Sequence, residues 1–204
     1  MMRTMFAMAF TALLALGITA SAQAQAEHYA GAPLEFNAHV GALFLDTPEG
    51  VDSDTDPMYG IRLGYNTPGG LGFAGNLDWI PGQRNVDGTD IDLNTWLYSA
   101  ELNYTFASSR RIHPFLAAGV GAATRTFSDL PGDDDDIDSA TDLMIPVGGG
   151  IKWFSQSNRW GIRTEVRDNI VLETDVFDPE EGDEDTEAAH HVEVSGGISF
   201  FFGS

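Results

Sequence analysis

The sequence predicts an all-β fold, an eight-stranded antiparallel up-and-down transmembrane β-barrel. Three observations support this prediction. Eight segments of roughly ten residues alternate apolar with small or polar residues, which is the two-residue period of a β-strand. The connections between these segments are alternately short and long, as in barrels of an outer membrane. The 23 glycines and the aromatic content of 11% favour turns and strands over helices.

The first 24 residues have the pattern of a cleaved secretory signal peptide. Arg3 supplies the positive charge, an apolar stretch covers 5–18, and small residues follow with two A-x-A cleavage patterns. That stretch is shorter than the ~20 apolar residues that a membrane-spanning helix needs. We expect 25–33 to form a short periplasmic lead and 34–202 to form the barrel.

Charge and composition exclude several classes of protein. The chain has 10 Lys and Arg against 31 Asp and Glu, a net charge of -21. Nucleic acid is therefore not an expected partner, because phosphate binding needs a basic surface. Apolar residues make up 43% of the chain, too many for a disordered acidic protein. The absence of Cys excludes disulfides, thiolate metal sites and a cysteine nucleophile.

The predicted strands and their connections follow one another regularly. The strands are predicted over 34–44, 58–65, 71–79, 92–106, 112–127, 142–154, 160–172 and 190–202. Tight turns are predicted over 66–70, 107–111 and 155–159, and long external loops over 45–57, 80–91, 128–141 and 173–189. An even number of strands then leaves both ends of the barrel on the short-turn, periplasmic side.

Each predicted strand has one apolar and one polar face. The alternation alone does not say which of the two faces points into the barrel. In a soluble barrel of the lipocalin type the apolar face would point inward. Three features favour the membrane instead. Aromatic residues cluster at strand ends, as interfacial girdles do. The charges of the polar face nearly balance, and that face holds five of the nine bases outside the signal peptide, whereas the loops are acidic.

In a membrane barrel the polar face lines the lumen, which eight strands make only about wide enough for side chains to fill. The predicted lumen network comprises Arg62, Asp78, Glu101, Arg125, Lys152, Arg163, Glu165, Arg167 and Glu193. Buried charges must pair with each other or keep water. The network is therefore either a structural set of ion pairs that fills the barrel or a polar path for water and small ions.

Four segments resemble strand signatures of the OmpA-like outer-membrane barrels. They are HPFLAAGVGA at 113–122, PVGGGIK at 146–152, WGIRTEVR at 160–167 and GGISF at 196–200. The resemblance covers essentially the whole chain after the signal peptide. It implies a monomer in the cell outer membrane, surrounded by lipid and lipopolysaccharide and inserted by the barrel assembly machinery. It implies a fold and no particular activity, since small barrels host unrelated roles.

The predicted loops hold 22 of the 31 acids and a single base, Arg84. The weak cation candidates among these acids are Asp52, Asp54, Asp56, Asp133, Asp134, Asp135 and Asp136. The first three have the spacing of a calcium loop, but Pro57 and Leu63 replace its required Gly and Glu. Either the acids form a solvated, mutually repelling surface, or they bind divalent cations weakly and bridge to lipopolysaccharide phosphates. We predict neither an ordered metal site nor a cofactor.

Catalysis is not predicted. His191, Glu193 and Ser195 lie in line on the last strand, where every second residue is about 6.6–7 Å along, too far for a hydrogen-bonded triad. The neighbouring His190 and His191 suggest an adventitious metal-binding pair rather than a catalytic one. No catalytic residue is proposed.

Three functions remain compatible with the sequence. The preferred hypothesis is a structural or surface-display role. The first alternative is a narrow porin or an OmpW-like conduit for small solutes, and the second is cation or surface binding by the loops, as in an adhesin. The first two differ in whether the lumen charges close into pairs or leave a continuous wet path.

Overall fold

Eight antiparallel strands close into a barrel in the order of the chain. The computed structural model describes residues 33–45, 55–86, 89–106, 111–128, 139–172 and 188–203. The strands are β1 Leu34–Leu45, β2 Thr55–Asn66, β3 Leu71–Val86, β4 Thr89–Thr105, β5 Ile112–Ser128, β6 Ser139–Phe154, β7 Trp160–Leu172 and β8 Ala188–Phe202. β8 pairs with β1 from Leu34 opposite Phe202 to Leu45 opposite His191, which closes the barrel. The predicted fold class is confirmed.

One predicted loop is mostly strand. β3 continues to Val86 and β4 starts at Thr89, and these two residues lie opposite each other in the ladder. The prediction of a loop over 80–91 was wrong because it followed the alternation of apolar and polar residues, whereas backbone pairing continues where that alternation is interrupted.

Several predicted segments lie outside the described residues. These are the signal peptide and most of the periplasmic lead, within 1–32, the turn residues 107–110, and the loop residues 46–54, 129–138 and 173–187.

Tight turns join the strands at the periplasmic end where the chain is described. After β2, the Thr67 amide donates to the Leu71 carbonyl oxygen at 2.7 Å. Gly70 has a φ of 86°, a conformation that favours glycine because it has no Cβ. The turn over 155–159 contains Asn158 with a φ of 52°, and Asn is among the residues that tolerate it best.

The apolar face of the barrel points outward. On β2, Leu63 is 64% exposed whereas the neighbouring Arg62 is 2% exposed. The same alternation runs along β7, where odd-numbered residues are buried. A surface with so many exposed large apolar side chains suits hydrocarbon and not water. The soluble lipocalin-type arrangement is therefore excluded, because it requires the opposite orientation.

Aromatic side chains mark both borders of this apolar surface. Toward the external end, the rings of Tyr59, Trp79 and Trp96 follow one another on adjacent strands with centroids 5.9 and 6.3 Å apart. At the periplasmic end, the rings of Trp153 and Trp160 lie 5.6 Å apart. Such belts are typical of the membrane interfaces of β-barrels.

Candidate functional site

The interior of the barrel holds eight of the nine residues predicted for the lumen network. Each of these eight is at most 4% exposed: Arg62, Asp78, Glu101, Lys152, Arg163, Glu165, Arg167 and Glu193. Arg125 lies apart from them, near the external end of β5. Its Nη1 is 3.4 Å from Asp142 Oδ2, and its side chain is 26% exposed. Arg125 therefore belongs to a separate pair at the rim of the barrel.

Glu165 forms ion pairs with three arginines of the interior. Its Oε2 lies 2.9 Å from Arg62 Nη1 and 3.1 Å from Arg163 Nη2. Its Oε1 lies 3.2 Å from Arg167 Nη2. Arg62 comes from β2 and the other three residues from β7, so one carboxylate joins strands that are not adjacent in the sheet.

Arg167 extends the network around the lumen. Its guanidinium lies 3.3 Å from Glu101 Oε1, 3.4 Å from Glu193 Oε2 and 3.7 Å from Asp78 Oδ2. These carboxylates come from β4, β8 and β3. A single side chain thus contacts acids from three other strands, which fixes its position across the lumen.

A second cluster lies closer to the periplasmic end, and sequence reasoning missed its central acid. Glu35 Oε2 lies 2.8 Å from Lys152 Nζ, and Glu35 Oε1 lies 4.0 Å from Arg163 Nη1. The Arg163 guanidinium is 3.8 Å from the centroid of the Phe115 ring, in cation–π range. The sequence could have identified Glu35, because it lies an even number of positions from His39 along β1 and so is on the same, inward face of the strand.

Hydrogen bonds along β1 and β8 connect the two clusters. Ser199 donates to Glu35 Oε1 at 2.8 Å, and Asn37 Nδ2 donates to Ser199 Oγ at 3.0 Å. His39 Nδ1 lies 3.0 Å from Asn37 Oδ1, and His39 Nε2 lies 2.7 Å from Asp78 Oδ1. His39 therefore faces the lumen.

An apolar layer crosses the lumen on the external side of the ion pairs. It consists of Leu43, Met58, Ile80, Leu97, Ala123, Met144 and Val171, each at most 3% exposed, with Ala189 packed against it. Each of the eight strands contributes one residue. The sequence analysis did not predict this layer, because it assigned residues to a face of each strand but not to a position along the barrel axis. The signal was a large apolar residue at an inward position, as at Met58 and Leu97.

Aromatic side chains close the periplasmic end of the interior. The ring centroids of Phe154 and Phe201 are 4.9 Å apart, and those of His113 and Phe154 are 5.1 Å apart. His113 and Phe201 are buried. The charged network therefore lies between an aromatic group at one end and the apolar layer at the other.

The candidate metal and catalytic residues are not brought together. His190 and His191 point to opposite faces of β8, because neighbouring residues of a strand alternate. His190 Nδ1 lies 2.8 Å from Asp168 Oδ2 with its side chain 51% exposed. Ser195 does donate to Glu193 at 2.9 Å, so the strand spacing did not exclude that contact, since the two side chains lean toward each other.

The cation candidates fall almost entirely outside the described chain. Asp52, Asp54 and 133–136 are not described, and Asp56 is the second residue of β2. Among the described strands, no group of three or more His, Asp or Glu side chains is arranged to hold a metal ion.

The fold is shared with barrels of known structure. Neisserial surface protein A is 17% identical with a TM-score of 0.65, over 84% of this chain and 99% of that one. Ail, the attachment invasion locus protein of Yersinia pestis, is 12% identical with a TM-score of 0.52, over 82% and 97%. A major outer membrane protein of Thermus thermophilus is 12% identical with a TM-score of 0.50, over 83% and 99%. A search of curated protein sequences finds no similar protein.

The family model for the outer membrane protein beta-barrel domain matches residues 10–200. That span contains nearly all of the eight strands. The apolar exterior, the aromatic belts and the closed ladder agree with it, as does the resemblance to OmpA-like barrels. The protein is located in the outer membrane, and the chain belongs to the outer-membrane protein β-barrel domain family.

Proposed function

We propose that the protein is a closed, non-conducting barrel with a structural or surface-display role in the outer membrane. The observation that carries this proposal is the apolar layer together with the ion pairs beneath it. Both cross the same narrow lumen, one above the other. Solutes therefore have no route through the barrel, and the external acidic segments are the part that meets the surroundings.

The apolar layer opposes ion passage by desolvation. Moving an ion from water into a medium of low dielectric costs roughly 20 kcal/mol in the idealised case, and several kcal/mol after relaxation. The side chains of Leu43, Met58, Ile80 and Leu97 offer no polar atom that could replace the lost water. An eight-stranded lumen also leaves little room around them.

The ion pairs oppose any rearrangement of side chains that would open a path through the lumen. Displacing Glu165 would separate it from Arg62, Arg163 and Arg167 together. Leaving a buried charge without its partner costs about 3–5 kcal/mol. The closed arrangement is therefore strongly preferred over one with a wet path beside these residues.

The test is conductance of the purified, refolded chain without residues 1–24 in a planar bilayer, with folding verified by circular dichroism. We expect no current steps, and gramicidin in the same bilayer shows that channels are detected. Steady, salt-dependent steps from folded protein would overturn the proposal and favour the narrow porin or OmpW-like conduit.

A matched pair of variants identifies the barrier. The triple change Met58→Ser, Leu97→Ser and Met144→Ser makes the apolar layer wettable. The same change at Leu63, Leu102 and Ile151 affects only the exposed outer face. If only the first variant conducts, the apolar layer is the barrier to ions. If neither variant conducts, the ion pairs are sufficient to block the lumen.

A second candidate function is binding of cations or of a surface by the acidic external segments. It is favoured by the concentration of 22 of the 31 acids in the four predicted loops. The fold is compatible with that role, since Ail is named as an attachment invasion locus protein. Replacing 178–187 with an uncharged Gly/Ser segment of equal length should then abolish adhesion of expressing cells without affecting folding. Unchanged adhesion would reject this candidate.

We also propose that the chain is inserted as a monomer by the barrel assembly machinery. The closed pairing of β1 with β8 supports this, because a closed barrel leaves no strand edge for another subunit. Depletion of the machinery should reduce the amount of folded protein in the membrane. Chemical cross-linking in native membranes should give no dimer band.

A further inference from the structure

The charged network of the interior is one positive charge short of neutral. Among the described residues between the apolar layer and the periplasmic aromatic group, five carboxylates and four basic side chains, not counting histidine, point inward. The carboxylates are Glu35, Asp78, Glu101, Glu165 and Glu193, and the cations are Arg62, Lys152, Arg163 and Arg167. An uncompensated charge is strongly unfavourable in an interior of low dielectric. A further proton in the network would restore the balance.

The hydrogen bonds that lead to His39 start at Ser199. Its hydroxyl has one hydrogen, and its Oγ lies 2.8 Å from Glu35 Oε1. Glu35 also contacts Lys152 and Arg163, which favour its ionised form, so this carboxylate only accepts. The hydroxyl hydrogen of Ser199 is therefore used on Glu35. Asn37 must present its amide hydrogens to Ser199, which turns Asn37 Oδ1 toward His39.

His39 consequently has a hydrogen-bond acceptor at each ring nitrogen. Nδ1 faces Asn37 Oδ1 at 3.0 Å, and Nε2 faces Asp78 Oδ1 at 2.7 Å. A neutral imidazole carries a single N–H and leaves one of these contacts without a hydrogen. The other oxygen of Asp78 lies 3.7 Å from Arg167 Nη1, which favours the ionised carboxylate. With Asp78 ionised, both contacts are satisfied only when both ring nitrogens are protonated.

Close packing holds the ring between its two acceptors. A Cβ at Gly60 would overlap Asp78 Oδ1 and His39 Nε2, and a Cβ at Gly197 would overlap the Cβ of His39. Both positions therefore require glycine for the ring to lie where it does. His39 is 7% exposed and Asp78 is 1% exposed, so bulk water does not replace either contact.

We propose that His39 and Asp78 form an internal proton-binding site, and that the folded protein holds one proton there as a histidinium. The titratable groups that share the interior with this site are Arg62 on β2, Glu101 on β4, Arg163, Glu165 and Arg167 on β7, and His191 and Glu193 on β8, with Glu35 on β1 and Lys152 on β6 nearer the periplasmic end. Of these, Arg167 contacts Asp78. The bound proton completes the charge balance of the lumen. This assignment does not depend on whether the barrel conducts.

The site couples folding to proton binding, because the two contacts that hold the proton exist only in the folded chain.

The direct test is nuclear magnetic resonance of the full chain without residues 1–24, with ¹⁵N-labelled histidine, folded in detergent micelles. We expect both ring nitrogens of His39 to show the chemical shift of a protonated nitrogen at pH 8. His39→Gln identifies the signal. His190→Gln removes a histidine from the outer face and should leave that signal unchanged. An unprotonated nitrogen at His39 at pH 8 would overturn the proposal.

Two matched variants test the role of Asp78. Asp78→Asn removes one carboxylate, balances the network without the proton and should leave His39 neutral at pH 8. Asp142→Asn changes the Arg125 pair at the rim and should leave the histidinium in place. A histidinium that persists in Asp78→Asn would overturn the pairing.

Unfolding in urea gives a readout that does not depend on assigning the histidine signals. His39→Gln retains an amide that can donate to Asp78 but cannot take up a proton. Because unfolding releases the bound proton, we expect the free energy of unfolding to depend on pH more steeply in the wild type and in His190→Gln than in His39→Gln. Equal pH dependence in the wild type and His39→Gln would reject the proton site.

Discussion

Arg62 Nη1 on β2 lies 2.9 Å from Glu165 Oε2 on β7, although these strands are not neighbours in the sheet. The pair therefore crosses the lumen and ties opposite walls of the barrel together. Three arginines share this one carboxylate. Its loss would remove an ion-pair partner from all three arginines at once, which makes Glu165 a sensitive position of the interior.

Replacing Glu165 with Gln should strongly destabilise the barrel. Removing one partner of a buried ion pair costs about 3–5 kcal/mol. The matched change Asp142→Asn, at a partly exposed pair, should cost only about 0–1 kcal/mol. Urea unfolding of the refolded proteins measures both. A cost below about 1 kcal/mol for Glu165→Gln would contradict the central role of this carboxylate.

Truncating the apolar layer should also destabilise the protein. Leu97→Ala deletes a side chain that is 3% exposed, and such changes cost about 2–5 kcal/mol. Leu102 lies on the lipid-facing side of the same strand and is 51% exposed. Leu102→Ala should cost less, because lipid tails can occupy the space that the side chain leaves. Equal costs in urea unfolding would show that the layer is not packed as a core.

Two glycines of β2 should respond differently to substitution by alanine. Gly60→Ala places a Cβ against His39 and Asp78 and should cost about 1–3 kcal/mol through overpacking. Gly64→Ala meets its nearest neighbour, the Phe73 carbonyl oxygen, at 3.4 Å and should be tolerated. Thermal unfolding of the two variants provides the comparison. Tolerance of Gly60→Ala would mean that His39 and Asp78 can separate without loss.

A charge on the lipid-facing surface should be costly in proportion to its depth. Val166 is 51% exposed on the outward face of β7, between the ends of the strand. Val166→Arg should cost about 2–4 kcal/mol, whereas Thr141→Arg, near the external end of β6, should cost about 0–1 kcal/mol. Unfolding in lipid vesicles measures both changes. Equal small costs would place Val166 outside the hydrocarbon.

Calcium should bind without a defined stoichiometry. The acidic segments contain carboxylate runs such as 133–136 but lack the Gly and Glu that a calcium loop requires after Asp52. Calorimetric titration should give a shallow isotherm that weakens with added salt, because screening reduces loose electrostatic attraction. A sharp isotherm at micromolar calcium would contradict this prediction. A variant with Asp133–Asp136 changed to Asn then shows whether that run is the site.

The local pattern of the chain accounts for most of the fold. Alternation along β2 and β7 predicted the strands, and the turn after Asn66 predicted a short connection. Both features depend on neighbours within a few residues, so they can be deduced without tertiary structure. The extension of β3 to Val86 could not, because it depends on pairing with β4 rather than on side-chain pattern.

The sequence by itself determined which residues share a face of each strand, and therefore which residues can line the interior. The closed and tilted barrel decided which of them meet. Closure brought Arg62 to Glu165 and placed His39 against Asp78. Strand tilt set the height of each residue, which separated Arg125 from the network and aligned one apolar residue per strand in a single layer. The physical reason is that the alternation of faces is a property of a single strand. The position of a residue along the barrel axis, and the residues it contacts, depend on the tilt and stagger of all eight strands.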